Sequence, residues 1–111
     1  MMFICVHRGG GNIQIIFGED CMIANRIIVR TSDSHPIYDL MNNQRTNPPS
    51  SIKIGDHVWI APQARIFKGV NIGSNSIIGS GAIVTKDIPE NSLVVGIPAK
   101  VVKQNVTWSR E

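Results

Sequence analysis

Aromatic residues are scarce in this 111-residue chain: three Phe, two Trp and one Tyr make up 5% of it. A core of large rings is therefore excluded, and the 28 Ile and Val residues must supply it instead. Their β-branched side chains suit strands, which disfavours a helical bundle. Cysteine is nearly absent, with only Cys5 and Cys21. Two cysteines make no disulfide framework, and neither stands at metal-ligand spacing from His7, His35 or His57, so no metal site is expected. Both cysteines read as reduced, which points to the cytoplasm. No apolar run is long enough to span a bilayer. The N-terminal MMFICVHRGGG is broken by His7 and Arg8 and is too short for a secretory signal. A dense basic run is missing too. The net charge of +3 is spread over scattered Lys and Arg residues, which argues against a nucleic-acid partner and leaves a small anionic ligand open. No Gly-rich phosphate loop is present.

A period of six is present in its place. From Ile54 the chain reads IGDHVW, IAPQAR, IFKGVN, IGSNSI, IGSGAI, VTKDIP, with Ile54, Ile60, Ile66, Ile72, Ile78 and Val84 in the first places. The fifth places hold Val58, Ala64, Val70, Ser76, Ala82 and Ile88, all small or apolar. Helices want spacings of three and four and flat sheets want two, so neither accounts for a strict six. A coil with three short faces does, with one large aliphatic pointing inward per face. Gly55, Ala61, Gly73 and Gly79 in second places are expected to ease the turns. The pattern recurs at Phe17, Ile23 and Val29, with Cys21 in a fifth place as a core filler. Between Val29 and Ile54 the period breaks, and the polar, proline-rich TSDSHPIYDLMNNQRTNPPS reads as an inserted loop. The expected organisation is one domain with first coils over 11–34, the loop over 35–53, regular coils over 54–89, and closing strands with a frayed tail over 90–111.

Hexads interrupted by a loop containing SDSHP, then IGDHVWIAP, then GSGAIVTKDIPENSLVVGIPAK, resemble the hexapeptide-repeat acyltransferases. The resemblance runs from Phe17 to Lys103 and is narrowest with the maltose and galactoside acetyltransferases and the capsular polysaccharide and sialic acid O-acetyltransferases. It implies an all-β fold, a left-handed parallel β-helix with an inserted catalytic loop. It also implies a homotrimer with acetyl-CoA lying in a groove between subunits. Members of the family carry further coils or a helical cap before the region matching Phe17, so the chain resembles an N-terminally shortened member in which residues 1–16 are not native to the fold.

Acetyl transfer to a hydroxyl needs a base to take the alcohol proton, and an imidazole can serve. His35 sits in the polar loop before Pro36, which restricts its backbone. By itself it could equally be an exposed loop histidine; the resemblance makes it the general base. His57 and His7 read as solvent-facing. Asp33 and Asp39 flank the base, and Asp33 is the candidate to orient it, the alternative being a carboxylate that is solvated or paired with a neighbouring Arg such as Arg45. Arg45 could bind the acceptor or brace the loop. Trp59, in a sixth place and hence outward, suggests a contact surface for acceptor, cofactor or subunit. The resemblance puts Trp59, Ala61 and the Ser80–Lys86 stretch along the cofactor, with Ser80, Gly81, Thr85, Lys86 and Lys100 as its binding residues. Ala61 and Pro62 replace the family's usual pair of glycines. The expected activity is acetyl-CoA-dependent O-acetylation of a carbohydrate, preferably a capsular or other surface polysaccharide or its sugar precursor. A small-sugar or nucleotide-amino-sugar acetyltransferase and a catalytically silent trimeric solenoid are the alternatives.

Overall fold

The structure, a computed structural model, describes residues 3–5, for their backbone alone, and 13–111. His7, expected to face solvent, lies outside the described residues. Among these there is no helix and there are twelve short strands, numbered β1 to β12 in chain order. They form three sheets that the chain visits in rotation. Sheet A holds β1 (Phe3–Cys5), β4 (Ile28–Arg30), β7 (Arg65–Ile66) and β10 (Ile83–Val84). Sheet B holds β2 (Ile15–Phe17), β5 (Ile52–Ile54) and β8 (Asn71–Ile72). Sheet C holds β3 (Met22–Ile23), β6 (Trp59–Ile60), β9 (Ile77–Ile78), β11 (Ser92–Val95) and β12 (Lys100–Gln104).

Three faces of six residues make a coil of eighteen, and the register follows: Ile54 pairs with Ile72, Ile60 with Ile78 and Ile66 with Val84, all in parallel. The first-place residues therefore stack into ladders. Ile54, Ile60, Ile66, Ile72, Ile78 and Val84 are all buried, as are Val58, Ala64, Val70, Ser76 and Ala82 from the fifth places. Each fully buried Ile stabilises the coil by about 1.5–3 kcal/mol. Ile88 departs from the hexad scheme. It pairs with Ile72, and Val94 pairs with Ile78, so the last coil is sixteen residues long, shortened between Val84 and Ile88.

The corners correct the expectation about glycine. The left-handed residue is the fourth of the hexad, not the second, in every complete hexad but the last: Asp20, Arg26, His57, Gln63, Gly69, Asn75 and Gly81 all have positive φ. The second-place glycines answer a different demand, the close approach of one coil to the next. A Cβ on Gly55 would lie 2.7 Å from the Ser74 amide nitrogen, and one on Gly79 would lie 3.0 Å from the Val94 carbonyl.

Three further expectations are revised. The coil pattern does not stop at Phe17, since β1 pairs with β4 and Ile15 and Ile16 of β2 pair with β5, so residues 3–5 and 15–16 are part of the fold. The loop ends before Ile52, because Ile52 and Lys53 pair with Ile15 and Ile16. The tail is not frayed. After β12 turns back antiparallel on β11, residues 106–110 run along the outside of the stack. The Val106 amide bonds the Asn91 carbonyl, Thr107 bonds Asn75, Trp108 docks on His57 and Arg110 reaches Asp20. Asp20, His57, Asn75 and Asn91 are the left-handed residues of one corner in four successive coils.

Candidate active site

The insert leaves the stack after β4 and returns at β5, so it stands at the corner between sheets A and B. Its base is closed by the Ser50 amide on the Thr31 carbonyl. Its outer half is a small hairpin in which Tyr38 bridges Arg45 antiparallel and Asp39 caps the turn by accepting from the Met41 amide at 2.7 Å. His35 lies on the inner half, exposed. Among the described residues, the hydrogen bonds at His35 go to its backbone and not to its ring.

One side chain organises this segment. Asn47 is 6% exposed, although the residues from Asp33 to Tyr38 and from Leu40 to Thr46 are exposed. Its Nδ2 donates to the His35 carbonyl at 2.9 Å and to Asp33 Oδ2 at 3.0 Å. Its Oδ1 accepts from the Ile37 amide at 2.6 Å and, more distantly, from Arg45 Nε at 3.4 Å. Asp33 also pairs with Lys68 at 2.7 Å, and Lys68 donates to the Pro48 carbonyl at 3.2 Å. Lys68, followed by Asn47, holds the Asp33 carboxyl below the usual carboxylate range. Asp33 thus ties the loop to a regular coil, and Arg45 braces it. The sequence reading missed Asn47 and Lys68. An Asn among several in a polar loop carries no local signal of burial.

The other singled-out residues lie elsewhere. Trp59 points outward from sheet C, half-buried, in register with Met22 and Ile77. The corner between sheets A and B is opposite sheet C in a three-sided section, so a single chain does not bring His35 and Trp59 together. Ala61 is buried in the stack. Ser80 is exposed, with its hydroxyl on the Pro62 carbonyl at 2.8 Å. Gly81 lines an open groove at the corner between sheets C and A, with Arg26, Gln63, Arg65, Ile83 and Ile97. A Cβ on Gly81 would meet nothing within 4 Å. Thr85, Lys86 and Lys100 are exposed on the surface. Arg26 and Arg65 add two cations to the groove that the sequence reading did not assign. Their signal was the repeat itself, since Ile28, Arg65 and Ile83 share one register position of sheet A.

His57 does not face solvent freely. Its Nδ1 lies 2.7 Å from Asp20 and its Nε2 lies 3.0 Å from the Trp108 carbonyl. Its ring stacks on the Trp108 indole at 3.9 Å between centroids, and Trp108 Nε1 donates to the His57 carbonyl at 2.7 Å. Trp108 in turn lies 6.1 Å from Trp59. Among the described residues, no group of three or more His, Cys, Asp or Glu could hold a metal ion. No helix among them is long and apolar enough to cross a membrane.

Residues 51–86 match the bacterial transferase hexapeptide family (six repeats). A polysialic acid O-acetyltransferase from Escherichia coli O1:K1 is 46% identical over 97 residues, covering 87% of this chain and 32% of that protein. The crystal structure of the polySia-specific acetyltransferase NeuO superposes with a TM-score of 0.86 at 45% identity, covering 87% of this chain and 45% of that one. A galactoside acetyltransferase in complex with coenzyme A gives a TM-score of 0.63 at 26% identity, covering 94% of this chain and 64% of that one. The chain spans about a third of the length of the E. coli relative. The three-sheet coil is the left-handed parallel β-helix that the resemblance implied.

Proposed function

We propose that this chain, whose residues 51–86 match the bacterial transferase hexapeptide family, moves the acetyl group of acetyl-CoA onto a carbohydrate hydroxyl. The preferred acceptor is a capsular or other surface polysaccharide, or its sugar precursor. One observation carries the proposal. An exposed histidine stands on a loop that is clamped to the coil stack, within the 87% of the chain that is 46% identical to a polysialic acid O-acetyltransferase.

In this mechanism His35 accepts the proton of the acceptor hydroxyl as its oxygen attacks the thioester carbonyl. The C–O bond forms, the C–S bond breaks, and the imidazolium returns its proton to the departing CoA thiolate. Trp59, Ala61, Ser80, Gly81, Thr85, Lys86 and Lys100 are the residues proposed to contact acetyl-CoA. Arg26 and Arg65 join them, because guanidinium groups suit phosphate oxygens. The separation of His35 from Trp59 around the coil supports a homotrimer, in which the loop of one copy would face sheet C of the next. Cys21, a free thiol whose Sγ packs 3.2 Å from the Gly55 carbonyl, supports work in the cytoplasm.

The test is release of free CoA from acetyl-CoA against a panel of acceptors that includes polysialic acid. His35→Ala should lower turnover by about 10²–10⁴-fold while acetyl-CoA binding holds. Equal turnover by the variant across the pH range removes His35 from the mechanism.

A further inference from the structure

We infer that Asn47 is the positioning residue of the reaction, fixing where His35 stands by saturating its own amide on Asp33, His35, Ile37 and Arg45. The inference rests on the reading of His35 as the base. An amide side chain has two N–H donors and an oxygen that can accept twice. All four are engaged at Asn47: the donors on the His35 carbonyl and Asp33, the acceptor on the Ile37 amide and Arg45. Three of the four partners lie within two residues of His35. A buried amide fully satisfied on one short segment leaves that segment one arrangement, since any other strands a desolvated donor or acceptor.

The clamp is anchored outside the loop. Lys68, in the corner that follows β7, holds Asp33 at 2.7 Å, so the position of the loop is referred to a coil whose core is fully buried. The ring of His35 has no such support, and its placement comes through its backbone. Loss of the amide should therefore let the segment around His35 wander while the coils stay as they are. A displacement of about 1 Å from the productive geometry costs about 10²-fold in rate.

Two variants separate the donors from the whole group. Asn47→Ala removes the clamp, and Asn47→Asp keeps the shape and the acceptor but deletes both donors and sets a second carboxylate beside Asp33. In each, the Ile37 amide should exchange hydrogen faster while the core amide of Ile66 stays protected and the melting temperature of the coil stack holds. With an acceptor from the panel, kcat should fall about 10²-fold while the dissociation constant for acetyl-CoA should not change, because the base is displaced and not removed. The deciding measurement is the cycle with His35. The double variant His35→Ala/Asn47→Ala should be no slower than His35→Ala, because a residue that acts through His35 has nothing to act on once it is gone. Losses that multiply, or an Ile37 amide as protected in Asn47→Ala as in the unsubstituted chain, overturn the inference whatever the acceptor. If His35→Ala itself turns over normally, the reading of the base has failed and not the clamp alone.

Discussion

His57 shows how two acceptors can dictate a charge. The Asp20 carboxylate faces one ring nitrogen and the Trp108 carbonyl faces the other, and neither can donate, so only the doubly protonated imidazolium satisfies both. The Trp108 carbonyl first, and then Asp20, raise the His57 pKa above its ordinary 6.5. His57 first, and then Arg110, lower that of Asp20 below 3.8. The stabilisation from the raised histidine is complete below about pH 6.5 and is lost as pH climbs through its folded value. That from the lowered carboxylate is complete above about pH 3.8 and is lost as pH falls through its folded value. Tail docking is therefore firmest between those two values and loosens toward alkaline pH. Protection of the Val106 amide, corrected for intrinsic exchange, should fall between pH 5 and pH 8, and His57→Gln should flatten that dependence. Protection that ignores pH in the unsubstituted chain refutes the assignment. None of this was legible in sequence. The fourth place of a hexad states that His57 sits at a corner, but its partner is 51 residues away and arrives only because the tail turns back. Asn47 was hidden for the same reason, its partners being set by the loop's fold and not by neighbours in the chain.

At the scale of the coil, the ladder was legible because an inward position is a local fact repeated every six residues. The purpose of the glycines was not. A glycine that relieves φ and a glycine that admits a neighbouring coil look alike in sequence, and the difference depends on the distance between coils. Substitution distinguishes them. Gly81, at φ +72 with open space beside it, should lose about 1–2 kcal/mol as Ala and recover most of it as Asn, which tolerates the left-handed region. Gly55 meets the Ser74 backbone, so Ala there should cost about 1–3 kcal/mol by overpacking, and Asn should be worse, not better. Denaturant midpoints of the four variants check this, and recovery of Gly55→Asn toward the unsubstituted midpoint contradicts it.

For the whole molecule, the coil stack leaves much apolar surface outside. Leu40 and Met41 at the hairpin tip are 100% and 94% exposed, and Ile37, Ile97 and Val102 are more than half exposed. A chain measuring 51 × 25 × 21 Å has a narrow core, and association would cover what the core cannot. Sedimentation at micromolar concentration should give three times the chain mass. A stable monomer counts against the composite site, because His35 and Trp59 then have no means of meeting. The docked tail has a consequence for how such a stack comes apart. Coils that touch only their neighbours behave as a one-dimensional chain of weakly linked units, and the ends peel while the middle holds. Residues 106–110 touch the corners of four coils in turn, from Asn91 to Asp20. Peeling at one end then forfeits contacts made by the segment that also grips the other, which turns gradual melting into a single cooperative transition.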